Sequence, residues 1–338
     1  MSIDVVLANY NHAEFLSNAI GALNSQTFKP HRIIIIDDHS SDRSRLILDS
    51  ELKKHGNILL INNDINLGAV KSHNLGLESV TSEYVYFAAA DDETLPLLFE
   101  KSIKMLEMHP EAAFSCAEAI MNERESGGTK YRPLVRPRQK TTFLTPKEVT
   151  REFKQNDNWI QTGTCVYKTQ LIRSVDGFDD SLGAFSDSML AKQLSMTYGC
   201  VFIKYYGVKW NVSNLGFSRN SMLNLGEFKK IKNNLQVYVS SRKAFPNWYW
   251  SVYSPRLESM FYRNLLKGSQ ANLEELNNYY LKLIFAIHTA SNSFGKRLID
   301  IFFQSFIFIK FRPFSILKLL KTKTMRVLEQ YMNKTISS

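Results

Sequence analysis

Between residues 3 and 88 four short apolar runs alternate with three longer segments of helical character. The runs are Ile3 to Ala8, Arg32 to Asp37, Ile58 to Asn62 and Tyr84 to Ala88, and between them lie Ala13 to Gln26, Arg43 to His55 and Ala69 to Val80. "RIIIID" and "EYVYF" are β-branched or aromatic on consecutive positions, which suits strands covered on both faces. The order is a βαβ series, so an α/β chain with a doubly wound, mostly parallel sheet is expected, with ligands beyond the strand C-termini. Polar clusters stand at those ends: Asn9, Tyr10 and Asn11, then Asp37 and Asp38, then Asn66 and Gly68, then Asp91 and Asp92.

The last pair, in "FAAADDETLP", sets the chemical question. Adjacent carboxylates repel and cost solvation unless a cation or strong donors meet them. A plain answer is a helix N-terminus, since Pro96, Leu97, Leu98 and Phe99 can open a helix whose dipole favours acids. A second answer is a site for Mg2+ or Mn2+, held by oxygen ligands and bridging a diphosphate. Neither the P-loop pattern nor the dinucleotide G-x-G-x-x-G follows an early strand, so phosphate must be bound in another way.

The remaining chain has a different texture. From Asn122 to Lys147 it is rich in Gly, Pro, Lys and Arg and reads as an exposed loop. Beyond Ser221 strand signals stop and long helical segments follow, which divides the 338 residues into 1–221 and a helical region, 222–338. Cys116, Cys165 and Cys200 are odd in number and widely spaced, which argues for reduced, structural thiols. The start "MSIDVVLANYNH" enters a strand without a leader pattern, so a cytoplasmic location is expected. No run reaches the roughly 18 apolar residues of a membrane span.

Five segments in order resemble the inverting family 2 glycosyltransferases with the GT-A fold. They are "LANYNHAEFLSNAIGALNSQT", "IIIIDDHSSD", "NLGAVKSHNLGL", "FAAADDETLP" and "GFDDSLGAFSDSMLAKQLSMTYG", and the resemblance runs from residue 3 to about residue 219. It implies transfer of one sugar from a nucleotide diphosphate sugar, a UDP-sugar being favoured, to a carbohydrate hydroxyl. By position, Ala8 and Tyr10 are implied to meet the nucleotide, with Tyr10 stacked on the base. Asp38, with Asp37 as competitor, is implied to accept from a base N–H. Asn66, Gly68 and Asn74 match the family's N-x-G…N spacing.

The resemblance also implies that Asp91 meets the ribose and Asp92 ligates Mn2+ or Mg2+. Ala89 departs from the commonest D-x-D-D form and removes one possible ligand. Asp187 is implied to be the base that takes the acceptor proton, across the anomeric carbon from the leaving diphosphate. Its structural alternative is an acid at a helix start whose buried face is Leu190, Leu194 and Tyr198. Ser186 stands where the family often has Glu, and Asp179 and Asp180 read as loop carboxylates. "NWIQTGTCVYKTQLI" resembles the segment lining the acceptor side, and Ser218 and Arg219 fall in the one that closes over the diphosphate. His12 and His73 are isolated and read as ordinary turn or helix residues.

The formal charge is +10, and residues 296–338 contribute +7 of it, interleaved with phenylalanines and isoleucines. That pattern suits an anionic membrane surface and a lipid-linked glycan acceptor, as in surface polysaccharide synthesis. Its alternative is a packed helix with a solvated basic face. Nucleic acid is not expected, because no binding motif accompanies the charge. A non-catalytic carbohydrate- or membrane-binding module on the same fold is the rival from another class.

Overall fold

In the computed structural model the described residues are 1–123, 127–212 and 225–267, with 322, 323, 325 and 326. They fall in two compact units, one of the residues described within 1–151 and 158–212, the other of residues 152–157 and those described from 225 onward.

The first unit opens with β1 (Ile3–Asn9), α1 (Ala13–Asn24), β2 (Arg32–Asp37), α2 (Ser44–Lys54), β3 (Ile58–Asn62), α3 (Ala69–Glu78) and β4 (Tyr84–Ala89). It continues through β5 (Glu93–Thr94), α4 (Leu98–Met108), β6 (Phe114–Glu123), β7 (Thr129–Arg132), β8 (Thr142–Leu144) and α5 (Pro146–Gln155), whose last turn enters the second unit. A 3-10 turn at Thr162–Thr164, β9 (Val166–Lys168), α6 (Thr169–Arg173), a second 3-10 segment at Asp180–Phe185, α7 (Ser186–Tyr198) and β10 (Cys200–Val212) complete it.

The strands make one sheet in the order β3-β2-β1-β4-β9-β6-β10-β5, with β7 beside β6 and β8 beside β10. The long strands β1, β2, β3, β4, β6 and β10 share one direction, because β9 runs antiparallel to both β4 and β6. Ile33, Ile34, Ile35 and Ile36 are all fully buried, so β2 is covered on both faces, as its unbroken apolar run requires. The α1 helix buries Leu16, Ala19, Ile20 and Leu23, a three-and-four spacing that lays one apolar stripe on the core.

The strand N-terminal edge is closed by Asp4, which is fully buried and accepts from the Thr81 N–H at 2.8 Å, the Ser82 N–H at 3.1 Å and Arg32 at 3.2 Å. Burial alone would raise its pKa, but those donors outweigh it and hold the carboxyl below its ordinary value.

The stretch from Asn122 to Lys147 is not the exposed loop its composition suggests. Its first residues extend β6 to Glu123, and β7 returns antiparallel beside it with Asn122 opposite Thr129. Val135 and Arg136 are buried, and Arg136 places Nε and one terminal nitrogen on the two oxygens of Glu118 at 2.9 and 2.8 Å. A guanidinium can be buried when it is paired in this two-pronged way, and composition does not report the pairing.

The second unit contains α8 (Leu225–Ser241) and α9 (Tyr249–Lys267). Phe228 and Phe261 stack with ring centres 3.8 Å apart. Arg256 donates to the carbonyls of Phe153 at 2.8 Å and Lys154 at 2.7 Å and pairs with Asp157 at 3.3 Å, so it satisfies the end of α5. Ser218, Arg219 and nearly all of the basic stretch 296–338 lie outside the described residues. Among the described residues no helix is long and apolar enough to cross a membrane. The three cysteines are free and buried.

Candidate active site

The C-terminal edge of the sheet gathers the polar residues in three groups. At the first, Asn9 ends β1 and donates to Asp37 at 2.8 Å and to Ser40 at 3.1 Å. Asn11 takes the left-handed conformation, φ 56°, which Asn tolerates, and its side-chain oxygen accepts from the N–H groups of Ser41 and Asp42. Tyr10, fixed between these two, is 47% exposed, which leaves its ring face available to a planar ligand. Ala8 lies one step back in β1, opposite Ile36 of β2 and Ala89 of β4.

Asp37 and Asp38 are both buried and already used. Asp37 accepts from Asn9 and from the Ser40 hydroxyl at 2.7 Å, which ties the β1 and β2 ends together. Asp38 accepts from the Asn63 amide at 2.7 Å and from the N–H groups of Leu67 and Gly68 at 2.8 Å each. A carboxylate offers about four lone-pair positions, so one remains on Asp38. These bonds shape the turn that carries Asn66, which is exposed, and Gly68, whose φ of 87° favours glycine.

The second group is the acidic pair after β4. Both residues are partly buried and both are held by Asn211 of β10. The Asn211 side-chain amide donates to the Asp91 carbonyl at 2.7 Å, and its backbone N–H donates to Asp92 Oδ1 at 3.1 Å. Glu93 faces Lys209 at 2.8 Å as β5 pairs with β10. Sequence reasoning missed Asn211; its only signal was its place in "WNVSN", at the start of the segment read as a closing element.

The third group is Asp187 in the first turn of α7. Its Oδ2 accepts from the Thr162 hydroxyl at 2.6 Å and its Oδ1 from the Ser188 N–H at 2.5 Å. Asp187 is exposed as a residue, and the protein packed around its carboxylate partly desolvates it. That desolvation raises its pKa above the ordinary carboxylate value, against the opposing pull of Thr162, Ser188 and the Lys192 charge. Of the apolar face expected for this helix, Leu190 and Leu194 are buried, whereas Tyr198 is 36% exposed. Asp179 accepts from the Ser181 N–H at 3.0 Å and caps the 3-10 segment, and Asp180 pairs with Lys71 at 3.5 Å.

One short turn joins the second and third groups. Thr162 holds Asp187, while the next carbonyl, that of Gly163, accepts from the buried Tyr86 hydroxyl of β4 at 2.8 Å. A Cβ on Gly163 would stand 2.8 Å from Nε1 of Trp210, the residue before Asn211, so only glycine admits the indole here. Thr164 Oγ1 accepts from the Ala117 N–H at 2.8 Å, and its single proton faces the Gln161 carbonyl at 2.7 Å, with the Ala117 carbonyl at 3.0 Å. The chain entering this region is docked on α3, where Asn74 exchanges hydrogen bonds of 2.8 and 2.9 Å with the main chain of Phe178.

His73 is packed against Phe87 and Phe178, and burial lowers its pKa to about 4, so it is neutral and apart from the carboxylates. A surface groove of about 810 Å³ between α1 and α2 is lined by Ser17, Ser41, Asp42, Arg43, Glu51 and Lys54. It contains neither Asp91, Asp92 nor Asp187, so concavity alone does not select the site.

Among the described residues no cluster of three or more metal-ligating side chains exists. Asp91 and Asp92 offer oxygen donors only, a set that fits a hard divalent cation taking one or two carboxylates and completing its shell from diphosphate and water.

The family model for Glycosyl transferase family 2 matches residues 4–173. The uncharacterized glycosyltransferase MJ1057 of Methanocaldococcus jannaschii is 32% identical over 260 residues, covering 74% of this chain and 84% of its own. The amylovoran biosynthesis glycosyltransferase AmsB of Erwinia amylovora is 30% identical over 109 residues, 32% of this chain and 36% of its own. Alignments with the first curated relatives thus span about two fifths of their length or less, 41% and 36% in two cases. Among solved structures, S. aureus TarS 1–349 in complex with UDP-GlcNAc has a TM-score of 0.52 at 14% identity, over 90% of this chain and 92% of that one. The mannosyltransferase PcManGT of Pyrobaculum calidifontis, in complex with GDP-Man and Mn2+, has a TM-score of 0.55 at 14% identity, over 97% and 87%. These likenesses concern the fold.

Proposed function

The chain belongs to glycosyl transferase family 2, and from that premise we propose that it transfers one sugar from a nucleotide diphosphate sugar to a carbohydrate hydroxyl, with inversion at the anomeric carbon. The observation that carries the reading is the bracket of Thr162 to Thr164, which links Asp187 to the strand that clamps Asp91 and Asp92. The transferase part is assigned to residues 1–221, with 222–338 as a helical region.

In this reading Tyr10 stacks on the base and Ala8 lets the nucleotide lie close to β1. Asp38 meets the base through its one remaining acceptor position, which matches a single imide N–H better than the adjoining N–H donors of guanine. That disfavours a GDP-sugar, and of the donors with a single imide N–H we assign a UDP-sugar. Asn66 and Gly68 line the same end, and Asp91 meets the ribose. Asp92 would hold Mn2+ or Mg2+; bound there, the cation would offset charge on the departing diphosphate. Support for a divalent metal comes from the oxygen donor set and from the Mn2+ in the PcManGT structure.

Asp187 takes the proton of the acceptor hydroxyl as that oxygen attacks the anomeric carbon and the bond to the diphosphate breaks. Its raised pKa makes it a stronger base than an open aspartate. The acceptor assigned is a lipid-linked glycan in surface polysaccharide synthesis, met at the inner face of the cell membrane. Support for it comes from the basic, phenylalanine-rich sequence 296–338 and from the amylovoran role in the name of AmsB. Calorimetric titration with UDP-, GDP-, dTDP- and CDP-sugars, with and without Mn2+, tests the donor assignment. Binding of a UDP-sugar strengthened by Mn2+ is expected, and failure of all four to bind would end the reading.

A further inference from the structure

Every oxygen of the Asp187 carboxylate has a protein donor, but the two donors differ in kind. The Ser188 N–H belongs to the same helix turn and moves with Asp187. The Thr162 hydroxyl comes from a separate element, which is fixed independently of Asp187: the Thr162 carbonyl accepts from the Cys165 N–H at 3.0 Å, and Gly163 and Thr164 bond to Tyr86 and Ala117. Gly163 is pinned by Tyr86 and by the indole of Trp210, and Thr164 accepts from the Ala117 N–H and donates to the Gln161 carbonyl. Trp210 precedes the residue that clamps Asp91 and Asp92.

We infer that Thr162 is a positioning residue, whose hydroxyl orients the Asp187 carboxylate and fixes its distance from the acidic pair through the rigid turn of residues 162–164. The inference rests on Asp187 being the base. Rotation of a free aspartate about its own side-chain bonds would misplace the accepting oxygen, and a general base must stay within hydrogen-bond reach of the proton it takes. With Thr162 holding Oδ2 and Ser188 holding Oδ1, both oxygens keep one lone pair for that proton.

The hydrogen bond also has an electrostatic consequence. The titratable groups near Asp187 are Lys192 on its own helix and the buried side chains of Cys165 and Tyr167 on the β9 side. Burial pushes the Cys165 thiol and the Tyr167 phenol well above their ordinary values, so both remain neutral through the working range. Lys192 is the cation in this set. Thr162 is the neutral donor from outside the helix, and its removal favours the protonated acid.

The test is a titration of full-length protein carrying carboxyl-labelled aspartate, followed by carbon NMR, with the Asp187 signal assigned through Asp187→Asn. Thr162→Val is expected to raise the Asp187 midpoint by about one pH unit, the size expected for loss of a hydrogen bond to a carboxylate. Thr162→Ser, which keeps the hydroxyl, should titrate like wild type. Thr162→Ala gives the same readout if the valine variant does not fold. Alongside it, release of nucleoside diphosphate from the bound donor is measured with water as acceptor. Wild-type release by Asp187→Asn overturns the base assignment and the inference with it. A wild-type midpoint in Thr162→Val, with Asp187→Asn inactive, overturns the inference alone.

Discussion

Asn211 holds Asp91 and Asp92 at once, donating its side-chain amide to the Asp91 carbonyl at 2.7 Å and its backbone N–H to Asp92 Oδ1 at 3.1 Å. The two bonds respond differently to mutation. Asn211→Ala deletes the first and keeps the second, so Mn2+-assisted binding of nucleoside diphosphate should weaken about fivefold to tenfold, the size of one net hydrogen bond. Asp92→Ala should weaken it more. Equal affinities for Asn211→Ala and wild type would show that the clamp has no part in the site.

Asp187→Asn should keep donor binding and lower turnover by about 100-fold or more, the range for loss of a positioned general base. The wild-type rate should fall with decreasing pH at a higher pH than an ordinary aspartate would give, because desolvation raises the Asp187 pKa and only the ionised form accepts a proton. A pH profile flat down to pH 4 would contradict the raised pKa, and near-wild-type turnover in Asp187→Asn would contradict the base role.

His73 couples stability to pH through its lowered pKa of about 4. Between the ordinary histidine value of about 6.5 and that figure, the unfolded chain binds a proton that the folded chain refuses. Stability should therefore be full above about pH 6.5 and decline as pH falls toward 4. His73→Phe, which fits the contacts with Phe87 and Phe178, should flatten that part of the curve. Urea unfolding at pH 7 and pH 5 checks it, and an unchanged pH dependence in the variant would assign the decline to other groups.

The buried pair of Glu118 and Arg136 makes a different prediction. Arg136→Met leaves the Glu118 carboxylate buried without its two-pronged partner and should cost about 3–5 kcal/mol, whereas adding Glu118→Leu should recover most of the loss. Thermal melts of the single and double variants decide it. A double variant no more stable than the single one would mean that the pair is not the source.

How far the sequence could be read follows from where each signal resides. The β1 to β4 series was legible because consecutive isoleucines and aromatics are a direct trace of burial on both faces, as in Ile33 to Ile36. The buried stretch around Val135 and Arg136 was hidden, because Arg136 looks solvated unless Glu118 is known to face it. The strand β10 was obscured by register shifts between Ile203 and Tyr206 and between Tyr206 and Val208, which break the two-residue period. Asp91, Asp92 and Asp187 stood out as acids at element ends. Asn211 did not, since it acts partly through its backbone N–H, which no side-chain pattern records.

The sequence of residues 296–338, with its local +7, gives one prediction about location. Each basic residue at an anionic surface contributes about 1 kcal/mol, screened by salt. Full-length protein should sediment with anionic vesicles at low ionic strength and be released at high, and removal of 296–338 should abolish the effect while sparing nucleotide binding. Full-length protein left in the supernatant at both salt concentrations would remove the membrane surface and the main support for a lipid-linked acceptor.

The central claim is that Asp92 completes a metal-assisted site for the diphosphate of a nucleotide sugar. The most direct measurement is calorimetric titration of wild type and Asp92→Ala with UDP, each with and without Mn2+, with circular dichroism to establish that both are folded. Mn2+ is expected to tighten UDP binding to wild type at least tenfold and to leave the folded variant unaffected. The same Mn2+-dependent affinity in both proteins would contradict the claim.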